Sequence, residues 1–202
     1  MDSKPVIAAF DFDGTITTKD TLLPFLIYTH GYWKTFCRSI QLIPAFLGFS
    51  IGLVSRQQMK EKVLTRFFAG TSLSILQEEG KAFASSMMLK KMIRPGAEQR
   101  IAWHRAQNHR CVLISATIDV YLAPWIKLYG FDDLICSTLE VDASNLVTGK
   151  LKGLNCWGPE KTRRLELLVG RKEEYTLYAY GDSLGDRELL ALADYSYLKK
   201  TY

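Results

Sequence analysis

The sequence predicts a doubly wound α/β fold, a parallel sheet flanked by helices and interrupted after its first strand by a helical insertion. Three observations carry that expectation. A continuous apolar run at residues 6–10 reads as a buried parallel strand. The stretch 21–91 has apolar segments at helical spacing and no strand-like alternation. From residue 97 onward, strand and helix signals alternate, the pattern of parallel strands joined by crossover helices.

Each element follows from local chemistry. The first strand ends in acid and glycine, so its carboxyl end opens into a loop. Residues 21–91, punctuated by Gly31, Gly48, Gly52 and Gly70, read as three or four helices. Pro95-Gly96 breaks that pattern and leads into a helix over 97–107. A strand at 111–114, a helix at 119–128 and a short strand at 134–136 come next. Residues 139–151, with Asp142, Asn145 and Gly149, suit a small hairpin. A helix over 159–169, a strand over 176–180 and a helix over 186–192 complete the series. The sequence stops at Tyr202, soon after the stretch 195–200, which makes an abbreviated far edge of the sheet an expectation.

Composition narrows the function. The chain has 202 residues, 48% hydrophobic and 23% charged, which excludes a disordered or collagen-like chain. A chain of this length buries roughly 70% of the surface it exposes when unfolded, enough to fold without disulfides or a structural metal. Cys37, Cys111, Cys136 and Cys156 form no CxxC pair and have no histidine at zinc-ligand spacing, so reduced cysteines in the cytoplasm are expected. His30, His104 and His109 adjoin no nucleophile with a supporting acid, which argues against triad chemistry. The apolar run before Asp11 is too short for a signal-peptide core, which argues against export. A net charge of +5 favours anionic partners, but no nucleic-acid recognition pattern accompanies it.

Four features stand where such a sheet places its site, at the carboxyl ends of strands. Asp11-Phe12-Asp13-Gly14-Thr15 sets two carboxylates at i and i+2 beyond the first strand; it reads equally as a turn rich in Asp, Gly and Thr. Gly181-Asp182-Ser183-Leu184-Gly185-Asp186 adds acids after another strand, where Asp182 or Ser183 could alternatively cap a helix. Two converging acid-rich strand ends supply the oxygen ligands that Mg²⁺ uses. Ser115, before a helix, could hold an anion or serve only as a cap. Lys161, in the first turn of a helix begun by Pro159, opposes the helix dipole; taken alone, a solvated surface lysine is the simpler reading.

Together, in this order, the four motifs resemble the haloacid dehalogenase (HAD) superfamily of phosphohydrolases, over nearly the whole chain. The helical insertion resembles the C1-type cap of the phosphoserine-phosphatase-like branch (subfamily IB). The resemblance implies a Rossmann-like core from 1–18 and 92–202 with a cap domain from 19–91. It implies Asp11 as nucleophile, forming an aspartyl phosphate, and Asp13 as general acid and then base. It implies Mg²⁺ on the carboxylates of Asp11 and Asp182 and the backbone carbonyl of Asp13, with Asp186 orienting metal-bound water. Ser115 and Lys161 would hold the phosphoryl oxygens. A phosphotransferase on the same scaffold and a non-catalytic membrane-associated adaptor are the competing classes.

The insertion bears on the substrate. Where phosphoserine phosphatases carry a glutamate that recognises the substrate amine, the comparable residue here is Asp20, one methylene shorter. No obvious polar set for an amino acid stands in the insertion. Residues 39–55 carry no charge and include Pro44, Gly48 and Gly52, too short and too broken for a spanning helix of about 20 residues. Between residues 34 and 66 lie six basic residues (Lys34, Arg38, Arg56, Lys60, Lys62, Arg66) and one acid, Glu61. That surplus suits either peripheral contact with an anionic membrane on its cytoplasmic face or a basic mouth for phosphorylated metabolites. The rhythm of the insertion is loosely similar to the bacterial phosphatidylglycerophosphatase C type, so a lipid phosphate stands beside small phosphorylated metabolites as a substrate class.

Overall fold

The computed structural model describes residues 4–198. Five parallel strands form one sheet in the order β3-β2-β1-β6-β7. They are β1 (Val6–Phe10), β2 (Arg110–Ile118), β3 (Asp133–Ser137), β6 (Thr176–Gly181) and β7 (Tyr195–Leu198). An antiparallel hairpin of β4 (Leu139–Val141) and β5 (Val147–Leu151) stands apart from it. The first strand is therefore central, flanked by β2 and β6.

Side-chain alternation along each strand divides the interior into two cores. Ile7, Ala9, Val112, Ile114, Leu177 and Ala179 face α9 (Pro159–Val169) and α10 (Arg187–Leu192), meeting Leu165 and Leu189. Ala8, Phe10, Cys111, Leu113 and Tyr180 face the other way, toward α7 (Pro95–Ala106) and α8 (Asp119–Tyr129). Both faces of the sheet are buried, so its strands read as continuous apolar runs.

Between β1 and α7 the chain makes six helices rather than three or four: α1 (Leu22–His30), α2 (Tyr32–Ile40), α3 (Ile43–Ser50), α4 (Arg56–Phe68), α5 (Leu73–Ala84) and the single turn α6 (Met87–Lys90). Short turns at Gly31 and around residue 41 subdivide what spacing alone joins. The entering and leaving segments run side by side, with Thr18 N donating to Met92 O (2.8 Å) and Arg94 N to Ile16 O (2.8 Å). Phe25, Phe68 and Phe83 from the insertion pack with Tyr121 of α8, so one core runs through insertion and sheet. At Gly80 of α5 a Cβ would come within 2.2 Å of the Val120 carbonyl, which explains why the smallest residue stands where two helices touch.

Two further differences have local causes. The strand expected at 111–114 continues to Ile118, with a register shift against β3 between Ile114 and Ile118 that frees the loop-like end bearing Ser115 and Thr117. At 195–198 the far edge carries a strand that the spacing does not announce, since β7 pairs in parallel with β6 there. Phe10, Tyr180 and Tyr197 lie in register across three strands and stack, with ring centroids 4.4 and 4.8 Å apart. Tyr178 and Tyr195 stack alongside them. Such cross-strand aromatic pairs stabilise an edge that hydrophobicity alone does not announce. The remainder of that stretch, and residues 1–3, lie outside the described residues.

Candidate active site

The strand ends of β1, β2 and β6 and the start of α9 meet beneath α4 around a cleft of about 520 Å³. The ladder of β1 continues one residue further, as Asp11 N donates to Tyr180 O (2.9 Å), and this sets Asp11 at the mouth of the sheet. The chain then turns sharply. Gly14 adopts φ +81°, and a Cβ there would stand 2.2 Å from Asp182 Oδ2. Both the conformation and the proximity require glycine, which lets the first and last motifs close on one another.

Lys161 is not a solvated surface lysine. It is 2% exposed, and its Nζ donates to Asp11 Oδ1 and to Asp186 Oδ1, both at 2.6 Å. Pro159 starts α9 at the right place, and Gly158 N donates to Gly185 O (3.0 Å), fastening that helix start to the last motif. Asp186 is fully buried; its Oδ2 accepts from the backbone N of Asp182 (3.2 Å) and of Ser183 (3.1 Å) and from Ser183 Oγ (3.0 Å). With both oxygens committed, Asp186 stands behind the site and fixes Lys161 and the Asp182 loop.

Carboxylate oxygens of Asp11, Asp182 and Asp186 all lie within 4.8 Å of one another. Against those three carboxylates Lys161 supplies one positive charge at contact distance, so the cluster could hold a hard divalent cation. Burial pushes the Asp11 carboxyl up to about 7, with Lys161 pulling the other way. Burial also works against the charge on Lys161, but Asp11 and Asp186 overcome it and hold the ammonium above its ordinary range.

Asp13 is held differently. Its Oδ1 accepts from Thr21 N (2.8 Å) and Thr21 Oγ1 (2.6 Å), and its Oδ2 from Thr117 Oγ1. Thr21 Oγ1 also lies 2.9 Å from the Tyr121 hydroxyl. Burial raises Asp13 to about 6, reinforced by Asp20 and resisted by the two threonines. The two carboxylates of the first motif thus have separate environments, one against an ammonium and one among hydroxyls. Ser115 is buried, lines the cleft, and its Oγ accepts from Thr117 N (3.1 Å). Asp20 lies exposed at the rim, where its Oδ1 accepts from Leu22 N (2.8 Å) and starts α1.

The cleft thus gathers Asp11, Asp13, Asp20, Ser115, Lys161 and Asp182, with Asp186 behind them. Sequence reasoning missed Thr21, Thr117 and Asn155, and did not single out Lys60 from its basic neighbours. Of the six basic residues counted between 34 and 66, Arg56 and Lys60 of α4 line the cleft, as the basic-mouth reading expects. A capping box at Ser55 and Gln58 starts α4 at Arg56, so residues 56 and 60 share the face turned inward. That Ser-x-x-Gln signature was the available signal. Lys60 donates to Ala116 O and to Asn155 Oδ1 (2.9 Å), and burial lowers its ammonium to about 8.

A parallel α/β sheet places its ligand site at the carboxyl ends of its strands, and this carboxylate and ammonium cluster stands there. The chain belongs to the haloacid dehalogenase-like hydrolase family, whose model matches residues 8–191. It is an enzyme of the phosphatase type. It is 32% identical over 194 residues to protein CicA of Caulobacter vibrioides, covering 96% of this chain and 86% of that one. Phosphoserine phosphatase ThrH of Pseudomonas aeruginosa is 27% identical over 124 residues, 60% of this chain and 57% of that one. Among solved structures, a Bordetella pertussis Tohama I protein of unknown function superposes with TM-score 0.80 at 21% identity, covering 94% of this chain and 87% of that one. A substrate-bound phosphoserine phosphatase superposes with TM-score 0.65 at 15% identity, covering 98% and 86%.

Proposed function

We propose that the protein is a Mg²⁺-dependent phosphomonoesterase acting through a phosphorylated Asp11. The observation that carries this reading is the pairing of Asp11 with a buried Lys161 while Asp13, two residues on, is held by Thr21 and Thr117. Asp11 attacks phosphorus, a new O–P bond forms, and the bond from phosphorus to the leaving alkoxide breaks. Asp13 donates a proton to that alkoxide, then takes one from the water that cleaves the aspartyl phosphate. Ser115 and Lys161 hold the phosphoryl oxygens, since catalysis of this transfer is mostly positioning and electrostatics. Asp11, Asp182 and the Asp13 carbonyl would hold Mg²⁺, which would neutralise charge on the phosphoryl group, and Asp186 would support them from behind through Lys161 and the Asp182 loop. Residues 19–91 act as a cap domain over a core of 1–18 and 92–202.

Hydrolysis of p-nitrophenyl phosphate with Mg²⁺ tests this directly. Asp11→Asn should lower kcat by at least about 10⁴-fold with unchanged circular dichroism. Near-normal turnover in that variant would sink the reading. Product analysis with added alcohols separates hydrolysis from phosphoryl transfer to an acceptor.

The substrate is a phosphorylated small molecule or a lipid phosphate, and one observation favours peripheral contact with an anionic membrane. The helix α3 buries none of its residues, and α2 and α3 together expose Tyr32, Trp33, Phe36, Ile43, Phe46 and Leu47. An apolar surface of this kind marks a binding face, and the exposed Lys34 on α2 adds positive charge beside it. No helix among the described residues is long and apolar enough to cross a membrane. The four free cysteines, three of them buried, support a reducing cytoplasmic setting. Sedimentation with vesicles containing phosphatidylglycerol at low salt checks the contact; failure to co-sediment would overturn it.

A further inference from the structure

Asp13 stands at the end of a chain of buried hydroxyls. Tyr121 of α8 is wholly removed from solvent, and its hydroxyl lies 2.9 Å from Thr21 Oγ1. Thr21 Oγ1 donates to Asp13 Oδ1 (2.6 Å), and Thr21 N donates to the same oxygen (2.8 Å). A threonine hydroxyl carries one proton. Since Thr21 gives its proton to Asp13, Tyr121 is the donor where the two hydroxyls meet. Burial pushes the Tyr121 hydroxyl well above the ordinary tyrosine range, so its proton stays in place. That hydroxyl also adjoins Thr117, whose proton goes to Asp13 Oδ2. The chain therefore runs one way, Tyr121 to Thr21 to Asp13, and hydrogen bonds aligned in this sense strengthen one another.

The arrangement leaves Asp13 one free direction. A carboxylate offers about four acceptor positions. Thr21 fills the two on Oδ1, and Thr117 fills one on Oδ2. Asp13 lines the cleft, so the position left on Oδ2 is the one from which a proton can pass to a leaving oxygen. Rotation of the carboxyl would misdirect that proton, and the three bonds oppose rotation. The far end of the chain is anchored by packing, since the Tyr121 ring lies against Phe25 of α1 and Phe83 of α5 with centroids 4.8 and 5.2 Å away. A buried tyrosine hydroxyl takes a partner somewhere. Here the partner is the residue that holds the general acid, 100 positions earlier in the chain.

We propose that Tyr121 is a positioning residue, which by backing Thr21 orients the Asp13 carboxyl for protonation of the leaving group. The proposal rests on the phosphatase reading above, in which Asp13 is the acid. Tyr121 does not line the cleft, so it acts through the threonine and not on the substrate.

The test compares two substrates that differ in their need for a proton. p-Nitrophenol is acidic enough to depart as its anion, whereas phenol leaves poorly without a general acid. The readout is kcat/KM for phenyl phosphate divided by kcat/KM for p-nitrophenyl phosphate, both with Mg²⁺. Misfolded protein lowers the two values alike, so the ratio reports the active molecules alone. Tyr121→Phe and Tyr121→Met both remove the hydroxyl and should lower the ratio by about tenfold. Thr21→Val should lower it at least as far, and Thr21→Ser should keep the wild-type ratio. Once residue 21 is changed to valine, Tyr121→Phe should have a much smaller effect, because the two hydroxyls act in series.

An unchanged ratio in the Tyr121 variants would overturn the proposal. So would an undiminished effect of Tyr121→Phe in the Thr21→Val background, which would place its action elsewhere. Asp13→Asn isolates the other failure and should lower the ratio by about 100-fold or more. Absence of Mg²⁺-dependent hydrolysis by the wild type, or an unchanged ratio in Asp13→Asn, would instead overturn the phosphatase reading with Asp13 as its acid, so the two failures are distinct.

Discussion

Lys161 Nζ and Asp11 Oδ1 lie 2.6 Å apart, a contact between residues 150 positions apart in the chain and almost wholly removed from water. The same ammonium reaches Asp186 at 2.6 Å, so one side chain ties the end of β1 to the loop that follows β6. This pair links stability to chemistry, because the groups that hold the strand ends together are those proposed to act on phosphate.

Lys161→Met should expose that link. It leaves Asp11 and Asp186 buried without their ammonium, and breaking a buried pair from one side costs about 3–5 kcal/mol. Urea denaturation in EDTA should show that loss, and phosphatase activity should fall with it. A variant as stable as the wild type would contradict the burial argument.

Metal dependence should follow the acid cluster. Protein treated with EDTA is expected to be inactive and to recover with Mg²⁺, and Mg²⁺ should raise the melting temperature of the wild type. Asp182→Asn should raise the Mg²⁺ concentration for half-maximal activity by at least about tenfold and blunt the thermal shift. An unchanged Mg²⁺ response would remove Asp182 from the ligand set.

Gly14→Ala probes the closure of the two loops. The new Cβ would meet Asp182 Oδ2 at 2.2 Å in a backbone with φ +81°. The left-handed conformation alone costs a non-glycine residue about 1–2 kcal/mol. Displacement of Asp182 should reduce activity at saturating substrate by about tenfold or more, beyond what partial unfolding explains. Steady-state kinetics beside a urea titration separate the two effects.

Stability should fall on acidification through a histidine that does not line the cleft. His104 is buried against Tyr180, its Nε2 lying 2.9 Å from the hydroxyl, and burial with the neighbouring His109 and Arg100 lowers it to about 4. The unfolded chain takes up that proton near the ordinary value of 6.5. Between those values the unfolded state binds more protons, so this contribution is fully present above 6.5 and is lost as pH falls toward 4. The loss is on the order of 3 kcal/mol. His104→Gln should flatten the difference between unfolding free energies measured at pH 7 and pH 4.5, and an undiminished difference would assign it to other groups.

The core of the fold was legible because its signals are local. The helix at Pro159–Val169 and the hairpin of β4 and β5 match their sequence expectations, since proline at a helix start and Asp, Asn and Gly at a turn act on their own backbone. The edge strand β7 was missed because its stability comes from Tyr195 and Tyr197 stacking on Tyr178 and Tyr180, a match that appears only when β6 is its neighbour. The six-helix division of the insertion was blurred because short turns leave the apolar spacing nearly continuous.

For the site, the sequence by itself determined which groups stand at strand ends and helix starts: Asp11, Asp13, Ser115, Lys161, Asp182 and Asp186. Strand ends, helix caps and tight turns are set by residues a few positions apart. Only the tertiary structure decided that Lys161 is buried between Asp11 and Asp186, that Thr21 and Thr117 hold Asp13, and that Lys60 enters the cleft from α4. Those partners come from segments tens of residues apart, brought together by packing of the sheet and the insertion. No local pattern encodes which lysine loses its water and which keeps it.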